Sequence, residues 1–108
     1  MAEREIITSI QKYMYAVESA GIPVSFVVLF GSQANGNTHK WSDIDVVVVS
    51  PYFDESKNRR DSRLLWRIAA RTDNRIEPIA CGFKQWVNDT SSAIIEIARR
   101  EGKQIQAA

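Results

Sequence analysis

The sequence predicts an α/β (α+β) fold, a mixed β-sheet covered by helices, and three observations carry that expectation. An amphipathic stripe opens the chain, two β-branched runs follow as strands buried on both faces, and a third, shorter strand carries a proline. Residues 2 to 20 place Ile6, Ile10, Met14 and Val17 at the spacing of one helical face, and Gly21 and Pro23 end the helix. Val24 to Phe30 is a nearly continuous strand run that stops at Gly31. From Gly31 to Ser42 the chain turns polar, with room for a short helix opening at Ser32. Asp43 to Ser50 is the second strand, broken by Pro51, and Tyr52 to Arg60 reads as an exposed, mobile loop. A helix over Asp61 to Arg71 turns Leu65, Ile68 and Ala69 inward, and Arg75 to Cys81 is the third strand, which Pro78 assigns to a sheet edge or strand end. A last helix, Thr90 to Arg100, carries Ile94, Ile97 and Ala98 on one apolar face and closes at Gly102.

With 108 residues, 44% hydrophobic and 25% charged, residues 1–108 fit one domain with one core. No apolar run approaches the roughly 20 residues of a membrane span, and the N-terminus lacks the apolar core of a secretion signal, so a cytoplasmic protein is expected. The single Cys81 excludes an internal disulfide and a cysteine zinc cluster, and the lone His39 excludes a histidine-rich metal site. Any bound metal is therefore held by oxygen, which favours Mg2+ or Mn2+. The net charge of +1 is unevenly spread, for residues 57 to 75 hold seven cations against two acids. The arginines at 59, 63, 67 and 71 form a stripe, either a solvated face or a contact surface. General nucleic-acid affinity is not implied. Cys81, Trp41, Trp66 and Trp86 are expected as packing residues, though Trp41 also lies close enough to the motif to stack on a base.

The chemistry is concentrated in Gly31-Ser32, a ten-residue spacer, and Asp43-Ile44-Asp45 followed by four valines. A Gly-Ser at that distance from an Asp-x-Asp arises by chance in roughly one chain in a thousand of this length. Asp43 and Asp45 project from one strand face with Cα atoms about 6.5 to 7 Å apart. They can bracket cations about 3.5 to 4 Å apart, the arrangement that clamps the attacking and leaving oxygens of phosphoryl transfer. Gly31 and Ser32 suit a turn whose amides and hydroxyl grip an anion. Glu77, alone between apolar neighbours on the third strand, is the candidate third carboxylate, with a surface pair to Arg75 as the plainer alternative.

Gly31-Ser32 and Asp43-Ile44-Asp45, with Ala34, Gly36 and Ser42 between them, resemble the signature of the nucleotidyltransferase fold shared with DNA polymerase beta and aminoglycoside nucleotidyltransferases. The match is nearest to the minimal nucleotidyltransferase group. The resemblance implies that Asp43, Asp45 and Glu77 form a catalytic, metal-binding triad and that Gly31 and Ser32 hold triphosphate. It further implies ATP as substrate, Mg2+ or Mn2+ as cofactor, and a HEPN-family toxin as partner in a type VII-like toxin–antitoxin pair, where a toxin tyrosine accepts AMP and a homo- or hetero-oligomer forms. Gln33 and Asn35 stand where arginine is frequent, which leaves triphosphate affinity either weaker or dependent on His39 and Lys40, whose plainer reading is ordinary loop residues. The competing readings are a binding module that silences its toxin by contact and a small-molecule nucleotidyltransferase, for whose acceptor domain 108 residues leave no room.

Overall fold

A computed structural model describes residues 2–31, 43–55, 59–89 and 91–107. Ser32, Gln33, Asn35, His39, Lys40 and Trp41, with the helix expected at Ser32, lie outside the described residues. The elements run α1 (Ala2–Ser19), β1 (Phe26–Phe30), β2 (Ile44–Ser50), α2 (Tyr52–Glu55), α3 (Arg59–Thr72), β3 (Ile76–Gly82), α4 (Phe83–Asn88), α5 (Ala93–Glu101) and β4 (Lys103–Ile105). The sheet order is β3-β2-β1-β4. β2 and β3 are parallel, whereas β1 is antiparallel to both of its neighbours. The sheet is therefore mixed, as expected, and β3 is an edge strand. Because the Arg75 carbonyl accepts from Ile44 N, alternation turns the backbone groups of Pro78 to the open edge, where a missing N–H disturbs no ladder.

Two layers of side chains explain the run of valines. Val46 and Val48 pack with Ile10, Tyr13, Met14 and Val17 of α1 and Leu65, Ile68 and Ala69 of α3. Val47 and Val49 face the other way, against Phe26, Cys81, Trp86, Ile95 and Ala98. A strand between two helical layers needs apolar residues at every position, which is why β2 does not alternate. The Tyr13 hydroxyl, buried in the first layer, donates to the Leu65 carbonyl at 2.9 Å and so joins α1 to α3.

Four expectations are corrected. Tyr52 to Glu55 is a helical turn rather than loop, and its Phe53 is buried in the core. Asp54 within it accepts from the backbone N–H groups of Lys84 and Gln85, at 3.1 and 3.4 Å, and so caps α4 across the chain. The last helix begins at Ala93, with the Ser92 hydroxyl accepting from Ile95 N. It buries Ile95 and Ala98 while Ile94 and Ile97 are exposed. The Arg99 guanidinium fixes that rotation by donating to the carbonyls of Trp86 and Asp89. Trp66, expected in the core, is 46% exposed.

One polar knot positions β3. Asp73, in the turn between α3 and β3, accepts from Ser9 Oγ of α1 at 2.9 Å and from Arg75 N, Nε and Nη2 at 3.0, 3.0 and 2.7 Å. The Arg75 side-chain hydrogen bonds outweigh the opposing effect of burial and hold the Asp73 carboxyl at about 2, below its ordinary 3.8. A carboxyl depressed on folding stabilises the native state above its unfolded pKa and loses that contribution as pH falls through the folded value. Asp73→Asn should thus cost about 1–2 kcal/mol at pH 7 after allowance for solvent screening. It should also flatten the loss of stability between about pH 4 and pH 2, as urea melts across that range would reveal.

Candidate active site

The carboxylates stand where two parallel strands begin. Asp43 directly precedes β2, Asp45 is its second residue, and Asp45 is in register with Glu77 on β3. Parallel pairing without a stagger puts the acids of both strands on the sheet face shared by Val47, Val49 and Cys81. That face is covered by α4, which follows the far end of β3, and by α5. The starting ends of β2 and β3 carry the acids, with Asp43 exposed and Asp45 and Glu77 half-buried.

Proximity shows in the titration of the cluster. Glu77 is pushed up to about 7, first by a hydrogen bond to Asp43, then by burial and by the charges of Asp43 and Asp45. Asp45 is raised as well, by burial and then by the charge of Asp43. The structure therefore brings together the three acids singled out in the sequence. Arg75, the partner in the plainer reading of Glu77, forks onto Asp73 instead.

Gly31 closes the group from β1. Phe30 is in register with Asp45, so the next residue reaches the carboxylate from the neighbouring strand. Gly31 has a φ of +77°, and a Cβ built on it would stand 2.5 Å from Asp45 Oδ2. Only glycine meets both demands. The sequence marks this glycine for its approach to a phosphate, whereas its contact with Asp45 emerges only from strand register. Ser32, which follows it, lies outside the described residues.

The donor set fits a hard divalent cation: oxygen only, with three acids crowded enough that one holds its proton near neutrality. Among the described residues no group of three acids is placed to grip an ion as it stands. Glu77 lies against Asp43 and is raised by it, and a cation bound there would neutralise the charge responsible.

Comparison with known proteins bears on this arrangement. The family described as nucleotidyltransferase domain matches residues 10–100. No curated protein matches. Among solved structures, a protein from Sulfolobus solfataricus ascribed to the nucleotidyltransferases superposes with a TM-score of 0.65 at 17% identity, covering 94% of this chain and 80% of that one. A chain from a toxin–antitoxin crystal structure with AMP-PNP gives a TM-score of 0.62 at 21% identity, over 94% of this chain and 73% of that one. At such identities the superpositions establish a shared fold. Among the described residues no helix is long and apolar enough to cross a membrane.

Proposed function

The chain belongs to the nucleotidyltransferase domain family, and from that premise we propose that it moves AMP from ATP onto a tyrosine hydroxyl of a HEPN-type toxin, acting in the cytoplasm as a type VII-like antitoxin. The observation that carries the reading is the convergence of Asp43, Asp45 and Glu77 at the start of β2 and β3, with Gly31 against Asp45. The likeness to a chain of a toxin–antitoxin structure with AMP-PNP supports a toxin as partner and an adenine nucleotide as substrate.

In this reading Asp43 and Asp45 would hold divalent cations, Mg2+ or Mn2+, which when bound would neutralise charge on the triphosphate. Gly31 and Ser32 hold its outer phosphates through backbone and hydroxyl donors. The acceptor oxygen forms a bond to the α-phosphorus as the bond from that phosphorus to the bridging oxygen breaks, and pyrophosphate leaves. Glu77, beside Asp43 on the neighbouring strand, takes the acceptor's proton as general base.

The test uses ATP labelled at the α- or the γ-phosphate, incubated with Mg2+, this chain and its co-expressed toxin. Label from the α position alone should enter the toxin. Transfer from the γ position would make the chain a kinase, and neutralisation without label would make it a contact inhibitor. Glu77→Gln should slow transfer about 10²- to 10⁴-fold while ATP affinity stays within a few-fold. Equal losses in affinity and rate, measured by calorimetry and single-turnover kinetics, would reassign Glu77 as a metal ligand.

A further inference from the structure

The exposed face of α3 is the surface that the transfer reaction leaves unused. Arg63, Arg67 and Arg71 are exposed at successive four-residue steps, each advancing about 6 Å along the helix axis. Among the described residues, none of the three has an ion-pair or hydrogen-bond partner. Trp66 lies beside Arg67 and three residues from Arg63, 46% exposed, and Ala70 completes the face.

A helix face kept only for solvation interleaves acids with its cations, because like charges four residues apart repel. Here the helix has one acid, Asp61, and it is buried. The face is thus held against its own local electrostatics and exposes a large aromatic ring as well. Arginine and tryptophan, with lysine and acids missing, is the composition of binding hot spots at protein interfaces.

We infer that the Arg63–Trp66–Arg67–Arg71 face of α3 docks an acidic surface of a protein partner. The composition of the face favours protein over nucleic acid, since it joins arginine to tryptophan and holds no lysine. The chain as a whole carries only +1 with a pI near 7.9, so beyond a Debye length its attraction for any polyanion largely cancels. At contact distance the cations of α3 keep their field, and they match carboxylates spaced one helical turn apart on a facing surface. Trp66 and Ala70 supply the apolar centre from which water is excluded. The inference concerns docking and stands apart from the transfer reaction, since none of these residues belongs to the carboxylate cluster.

Arg67→Glu separates the two roles of the face. It replaces two repulsive four-residue pairs with attractive ones to Arg63 and Arg71, so the melting temperature should rise by about 2 °C. Binding should move the opposite way. A fluorescein-labelled 15-residue polyglutamate peptide, titrated by anisotropy at 50 mM salt, should lose at least about tenfold in affinity to Arg67→Glu and about fivefold to Trp66→Ala. The neutral Arg63→Gln/Arg67→Gln pair should reproduce the loss. A 12-nucleotide oligo(U) RNA should bind more weakly than the peptide. Peptide binding that is absent, or indifferent to all three variants, would reduce the face to a solvated one, and tighter binding of the RNA would reassign it to nucleic acid.

Discussion

Replacing either Asp43 or Asp45 by asparagine should abolish metal-dependent nucleotide transfer, by about 10³-fold or more, with the fold intact. Asparagine keeps the size of the side chain and removes the charge that a cation requires. Neither residue contributes to the buried core, since Asp43 is exposed and Asp45 half-buried. The native cluster is electrostatically strained: the charge of Asp43 helps to raise both Asp45 and Glu77. Neutralising one member relieves that repulsion, so the melting temperature should stay level or rise while turnover disappears, the exchange of stability for function expected of an active site. The paired measurement is a thermal melt and α-label incorporation on the same preparation. Full transfer by the Asp43→Asn/Asp45→Asn double variant would remove these residues from the mechanism.

The parts of this fold that can be read in the sequence are those whose signal is local and long. The α1 stripe, the two valine-rich strands and the proline on β3 each announce themselves within a few residues, and the Gly-Ser to Asp-x-Asp spacing marks the site within one short stretch of chain. The parts that cannot be read depend on distant partners. β4 has one buried residue among three, Ile105, and exists because Val27 to Leu29 offer it a ladder. α4 starts directly from β3, and the carboxylate that caps it, Asp54, is 30 residues away. The isoleucines of α5 allow more than one inward face, and the hydrogen bonds of Arg99 to the α4 region choose the one with Ile95. Trp66 reads as core by residue type, although its neighbours Arg63 and Arg67 share the outward face. At the site, the sequence identifies Asp43 and Asp45 by spacing and Glu77 by isolation. Register alone shows that Gly31 serves Asp45.

That last contact gives a test in which conformational and functional costs can be told apart. Gly31→Ala puts a Cβ 2.5 Å from Asp45 Oδ2, closer than van der Waals contact allows, at a φ of +77° that an L side chain resists. The backbone penalty alone is about 1–2 kcal/mol, which should lower the melting temperature by several degrees. The clash must also be relieved, either by rotating the Asp45 carboxylate away from Asp43 and Glu77 or by moving the end of β1. A displacement of about 1 Å at a catalytic group costs about 10²-fold in rate, so transfer should fall by at least that much. Gly21 provides the control. Its φ is +98° and a Cβ there meets nothing within 4 Å, so Gly21→Ala carries the same kind of backbone penalty with no effect on the carboxylates. The two variants should melt below the wild type by similar amounts, and Gly31→Ala alone should lose transfer when both are assayed well below their melting temperatures. Equal activity in the two would mean that the close packing of Gly31 on Asp45 shapes the turn without positioning the catalytic oxygen.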